Sequence, residues 1–193
     1  LGDVYKRQVL AIVVPIAVIL FVIVIQPNQP LLHGYQQNRI LAWLEPEKYE
    51  SDEAYQQLNS VMAIGSGQLT GKGYNSDATT SVKNGNFISE PQTDFIFAII
   101  GEELGFVGCC SVIILLLLIV ISCISVGMRT KDVSGKLICS GVAALIGIQS
   151  FINISVATML FPNTGISLPF VSYGQTSVVC FYIGIGLVLN VGL

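Results

Sequence analysis

Residues 89–128 read SEPQTDFIFAIIGEELGFVGCCSVIILLLLIVISCISVGM. A polar loop broken by Pro91 runs into Asp94, and from Phe95 onward the chain is apolar enough to enter a lipid bilayer. As one helix at 1.5 Å per residue, the block from Phe95 to Met128 would be about 50 Å long, more than a hydrocarbon core of about 30 Å requires. Two carboxylates, Glu102 and Glu103, interrupt it one or two turns in. The block must be helical, because lipid offers no hydrogen-bond partners to the backbone of an isolated strand.

The remaining chain repeats this pattern. Hydrophobic residues make up 52% of the sequence and charged residues 11%, and the apolar ones fall in long blocks rather than at amphipathic spacing. That excludes a soluble globular domain and implies an all-α polytopic membrane bundle, with helices over about 9–25, 95–128, 137–159 and 175–193. The first eight residues, LGDVYKRQ, read as a linker scar or a truncated start, and the chain as part of something longer. Residues 9–193 then form one membrane domain, elaborated by a large loop over 26–93.

Lys and Arg favour short cytoplasmic loops, and Arg129, Lys131 and Lys136 crowd the connection between the second and third spans. Counting crossings from there puts 26–93 and FPNTGISLPFVSYGQ (161–175) outside the cell. Within the large loop, Leu32, Tyr35, Ile40, Leu41 and Leu44 fit an amphipathic helix stopped by Pro46; Tyr55, Leu58, Val61 and Met62 fit a second ending at Gly65. Both suit the membrane surface. The net charge of -3 arises largely from Glu45, Glu47, Glu50, Asp52 and Glu53, a solvated face. Cys109, Cys110, Cys123, Cys139 and Cys180 lie in apolar spans without a C-x-x-C pair, and His33 is the single histidine, so small packing residues are expected rather than disulfides or zinc ligands.

Several short motifs admit two readings. GSGQLTGKG (65–73) invites a phosphate-binding loop, but the Walker pattern would need Gly in place of Ser66 and Ser or Thr in place of Gly73. It is either a tight turn between surface helices or a place where Lys72 and free N–H groups meet a lipid-linked phosphate. Asp94 is placed to cap the following helix, and equally to serve as a general base where water meets an apolar wall. Glu102 and Glu103 either face a protein-lined cavity or stay near the interface on the protruding end of an overlong helix. Gln149 and Asn153, four residues apart, share a helix face, which suggests interhelical hydrogen bonding. The stretch 161–175, with two prolines and two glycines, breaks the helix at a membrane edge and should line the same cleft as Asp94.

The order YQQNRI (35–40), Pro46, AYQQ (54–57), AIGSGQLTGKG (63–73), EPQTDFIFAIIGEELGFVG (90–108) and PNTGISLPFVSYG (162–174) closely resembles the C-terminal half of the SEDS family of bacterial cell-wall synthases, the RodA, FtsW and SpoVE proteins. The ending IGIGLVLNVGL and the PNTG motif look more like the RodA branch. The resemblance implies a ten-helix enzyme of the bacterial plasma membrane, a peptidoglycan glycosyltransferase polymerising lipid II, with this chain as its last four helices and large external loop. In such enzymes the C4 hydroxyl of an acceptor GlcNAc attacks C1 of a lipid-linked MurNAc and expels undecaprenyl pyrophosphate. The family's essential acid falls on Asp94.

Positive charge or a divalent cation, Mg or Mn, would assist the departing pyrophosphate, with no organic cofactor. Substrate contacts are expected from Arg39, Lys72, Thr93, Glu102, Thr164, Ser172 and Tyr173. The implied partners are lipid II and its undecaprenyl-linked glycan, membrane lipids and a class B penicillin-binding transpeptidase, with no nucleic acid. Two positions depart from the family: Gln92 stands where many relatives carry His, and Gln175 where Gly is usual. Because family members draw part of the substrate cavity from their N-terminal half, the chain alone is expected to be inactive. The rival readings are a lipid II flippase and a non-catalytic scaffold for a transpeptidase. A transporter needs polar groups through the membrane depth, whereas here they gather on the external face.

Overall fold

The computed structural model describes residues 13–15, 34–44, 52–73 and 92–193. The chain divides into two compact units, Leu1–Ala54 and Tyr55–Leu193. The first contains a helical turn at 13–15 and helix α1, Gly34–Leu44, where Ala42 is buried. The span expected over 9–25 lies outside the described residues except for that turn. Helix α2, Asp52–Ser66, starts at the edge of the first unit and runs into the second. Both loop helices predicted from apolar spacing are present.

The second unit is built on α3 (Ile96–Arg129), α4 (Val133–Ala157) and α5 (Gln175–Gly192), three helices long and apolar enough to cross a membrane. The described residues contain helices and no strand. Small side chains let these helices approach closely, as helix pairs in lipid require. Cys123, Cys139, Ala143 and Val188 form one buried cluster, and a Cβ on Gly127 would stand 2.9 Å from that of Cys139. Cys109, Cys123 and Cys139 are buried free thiols that serve as small apolar groups. Outward, Ile114, Leu118 and Ile121 of α3 are exposed, an apolar face suited to lipid tails. Ser111, Ser122 and Ser125 each donate to the carbonyl four residues earlier, so the hydroxyls on α3 are satisfied within the helix.

Two helix boundaries differ from the hydropathy reading, for backbone reasons. α4 begins at Val133 rather than near 137 because the Asp132 carboxylate accepts from the Gly135 N–H at 3.1 Å, an N-cap that carries the polar Lys136 into the first turn. It ends at Ala157 because Met159 turns left-handed (φ 61°) while the Leu160 and Phe161 N–H groups return to the Ser155 carbonyl.

The larger departure lies within α3. Gly105 (φ 67°, ψ -161°) breaks the helix into a short inner segment and a long one. In an unbroken helix the N–H groups of Phe106 and Val107 would go to the carbonyls of Glu102 and Glu103. Instead they donate to Gln68 and Leu69, while the carbonyls of Glu102 and Glu103 accept from Lys72 and Gly73 at 2.9 and 3.1 Å. The loop 67–73 supplies both halves of what the break removes. Contact is backbone to backbone: a Cβ on Gly67 would lie 1.8 Å from the Gly101 carbonyl oxygen, one on Gly71 2.1 Å from that of Glu103, and one on Gly105 2.4 Å from the Gly71 nitrogen.

Candidate active site

Asp94 sits in a turn, residues 92–95, that leads directly into α3. Phe95, not Asp94, occupies the N-cap position, and that cap makes no side-chain hydrogen bond. The capping role expected of Asp94 therefore falls to another residue's position, and the turn is held by other means. Phe95 is 1% exposed and packs among Ala63, Ala98 and Val156, which nails the turn to α2 and α4.

Three successive carbonyls of this turn are each held from the other side. Gln92 accepts from the Tyr173 N–H at 3.0 Å, Thr93 from the Ser172 hydroxyl at 2.6 Å, and Asp94 from the Asn153 side-chain amide at 2.9 Å. The partners belong to the irregular stretch 158–174 and to α4. Asn153 also donates to the Ile166 carbonyl at 2.6 Å, and Gln149, one turn earlier, to Ser167 at 3.2 Å. Both amides thus bond the backbone of the broken stretch, where interhelical pairing was expected. An irregular backbone at a membrane edge needs such donors, since lipid supplies none.

The same stretch brings a glycine to the carboxylate. Gly165 is left-handed (φ 66°), its N–H donates to the Asn163 side chain, and a Cβ built on it would stand 3.5 Å from Asp94 Oδ2. The left-handed backbone at this position favours glycine, and it brings the PNTG loop to the half-buried Asp94. Beneath, α2 caps α4. Gln57 donates to the carbonyls of Val156 and Phe161 and Ser60 to that of Ala157, satisfying carbonyls at the C-terminal end of α4.

The expected site residues therefore separate into groups. Asp94, Thr93, Ser172 and Tyr173 come together with the PNTG loop, in which Thr164 and Tyr173 are exposed. Ser172 is buried at 4% and its hydroxyl both donates to Thr93 and accepts from Leu168, so it builds the site rather than facing a ligand. Thr93 contributes a backbone carbonyl to the same bond. Lys72 and Glu102 form a pair of their own, Nζ to Oε1 at 2.8 Å, two turns along α3. The free N–H groups imagined for the glycine-rich loop are occupied: those of Gly71, Lys72 and Gly73 donate to Gly67, Glu102 and Glu103. That segment is a structural clamp on the Gly105 break. Arg39 lies half-buried on α1, in the first unit.

Sequence reasoning did not assign Asn153, Gln57 and Ser60 to the site. The available signal was polar side chains on helix faces beside a stretch whose prolines and glycines leave carbonyls unpaired. Among the described residues no group of three or more His, Cys, Asp or Glu side chains could hold a metal ion. The donor set of the described residues does not fit an all-protein cation site.

Residues 3–193 match the family described as "Cell cycle protein", that of FtsW, RodA and SpoVE. An FtsW of Geobacter sulfurreducens is 34% identical over 81% of this chain, the Bacillus subtilis stage V sporulation protein E is 38% identical over 81%, and the Escherichia coli peptidoglycan glycosyltransferase MrdB is 32% identical over 83%. Such similar identities do not single out a RodA branch. The chain spans 41% to 43% of the length of these relatives. A chain in a solved structure described as a peptidoglycan synthase complex, with coordinated polymerization and crosslinking, aligns with a TM-score of 0.69 and 28% identity, covering 96% of this chain and 48% of that one. With its membrane-length helices and a family match from residue 3 to the last, this chain is an integral membrane protein belonging to the FtsW, RodA and SpoVE family.

Proposed function

We propose that this chain supplies the general base of a peptidoglycan glycosyltransferase that polymerises lipid II, with Asp94 as the base. In this reading the Asp94 carboxylate accepts the proton of the acceptor's C4 hydroxyl as that oxygen attacks C1 of the lipid-linked sugar. The C1–O bond to undecaprenyl pyrophosphate breaks with inversion, and the pyrophosphate leaves with the electron pair. The observation that carries it is the rigid presentation of residue 94: three consecutive carbonyls of its turn are bound, Phe95 is sunk in the core, and the left-handed Gly165 of the PNTG loop lies beside the carboxylate. A general base works only if its geometry is held before the substrate arrives. The names of the relatives supply the reaction class.

Thr164 and Tyr173 are the proposed glycan contacts. Lys72, whose charge Glu102 already shares, and Arg39 are the proposed contacts for phosphate. A divalent cation, if used, would be held chiefly by the substrate's pyrophosphate, as magnesium commonly is. The clustering of basic residues between α3 and α4 supports placing Asp94 on the extracellular side of the bacterial plasma membrane. Likeness to a chain of a synthase complex supports a class B penicillin-binding transpeptidase as partner.

The test compares full-length wild type with Asp94→Asn in a lipid II polymerisation assay. Loss of a general base should lower the rate at least about 100-fold. Undiminished glycan synthesis would remove Asp94 from the chemistry and favour a lipid II flippase.

A further inference from the structure

We propose that Asn153 is a positioning residue for Asp94, bonding from α4 to both of the backbone segments that form the site, beside the direct Gln92–Tyr173 and Thr93–Ser172 bonds between them. The inference rests on the function proposed above, but the geometry behind it does not. Asn153 is 1% exposed and lies on α4, which runs from Val133 to Ala157. Its one amide nitrogen donates to the Asp94 carbonyl at 2.9 Å and to the Ile166 carbonyl at 2.6 Å. The Ile166 carbonyl follows directly on Gly165, which lies beside the Asp94 carboxylate. One side chain therefore bonds both the Asp94 turn and the residue next to the one beside its carboxylate.

A second observation separates this role from general packing. Among the described residues, Asn153 Oδ1 is the buried side-chain polar atom without a hydrogen-bond partner. A buried acceptor left unsatisfied works against stability. Here the loss falls on the residue whose other atom serves the site twice. Removing the amide should leave α3 and α4 packed through their own clusters, which do not include Asn153, while loosening the two segments at Asp94 and Ile166, where the remaining bonds to Tyr173 and Ser172 do not reach.

The experiment uses the full-length protein and lipid II, with the variants Asn153→Asp, Asn153→Ala and, as reference, Asp94→Asn. Asn153→Asp keeps the shape but offers at most one donor, and Asn153→Ala offers none. A misplacement of the base by a fraction of an ångström should lower kcat about 10-fold for the first and about 100-fold for the second, with KM changed less than about twofold. Hydrogen exchange reads the junction without any chemistry. The Leu168 and Tyr173 amides, which donate to Ser172 and to Gln92, should exchange about five- to tenfold faster in both variants, while amides in the middle of α4 keep their protection. The proposal is overturned by unchanged exchange with unchanged kcat, by a loss confined to KM, or by failure of both variants to fold, which would make Asn153 a folding determinant alone. If Asp94→Asn retains polymerisation, the base reading fails instead, and the exchange result still decides whether Asn153 joins the segments.

Discussion

The Lys72–Glu102 pair shows how much depends on a single side chain. Glu102 is 2% exposed on its side chain and Lys72 28%, with the ions 2.8 Å apart. Burying a charge this deep is costly, so removing Lys72 takes from the carboxylate the cation bonded to it. Lys72→Met should destabilise the protein toward the lower end of about 3–5 kcal/mol, since Lys72 retains some contact with water. Lys72→Met with Glu102→Gln should recover most of that loss, because the buried charge is then removed together with its cation. Thermal unfolding of the purified protein in detergent measures both; a double variant no more stable than the single would show that the pair is not what stabilises this corner.

The break in α3 and the glycine-rich loop form one element, although they lie about thirty residues apart by sequence. Four backbone hydrogen bonds cross between them, two in each direction, and they replace the two that Gly105 interrupts. Gly71 (φ 78°) and Gly105 (φ 67°) are both left-handed and both abut backbone atoms that cannot move independently. Gly71→Ala and Gly105→Ala should each cost more than about 2 kcal/mol, combining left-handed strain with a clash that separates the loop from the break. The measurement is again detergent unfolding, with Gly65→Ala as control, since a Cβ at Gly65 meets nothing within 4 Å. Equal stability of all three variants would refute the clamp. The short segment of α3 between Ile96 and the break begins two residues after Asp94, so the clamp also bears on where the proposed base stands.

At the scale of the whole molecule the decisive question is which side of the membrane Asp94 faces. The positive residues of the 129–136 connection argue for the cytoplasm there, and one crossing by α3 would put the Asp94 turn and the 158–174 stretch outside, as the function proposed above requires. A cysteine at the exposed Thr164 should react with a membrane-impermeant maleimide on intact cells, and one at Lys131 only after permeabilisation. The reverse pattern would put the proposed base in the cytoplasm, away from an external glycan. Within the second unit, the polar groups that matter lie at one end of the helices. Gln57, Ser60, Gln149, Asn153 and Ser172 all donate to backbone carbonyls there, while the middle of α3 and α4 packs through cysteine, alanine, glycine and branched aliphatics. That end is where helices stop and irregular backbone begins.

The amino-acid sequence by itself determined the membrane class, the three long spans of the second unit and the helices of the large loop, because hydropathy over about 20 residues and local periodicity are properties of neighbours in the chain. It also pointed to Asp94 and to the PNTG stretch as places where polar chemistry meets a membrane edge. Only the tertiary structure decided that α3 is broken at Gly105, that Lys72 belongs to Glu102, that Ser172 is consumed in the wall of the site, and that Asn153 reaches two loops at once. Each of these is a pairing between residues distant in sequence. A glycine, a serine or an asparagine looks the same in the chain whatever it touches, and its part is set by which orphaned backbone group the fold brings within hydrogen-bond reach.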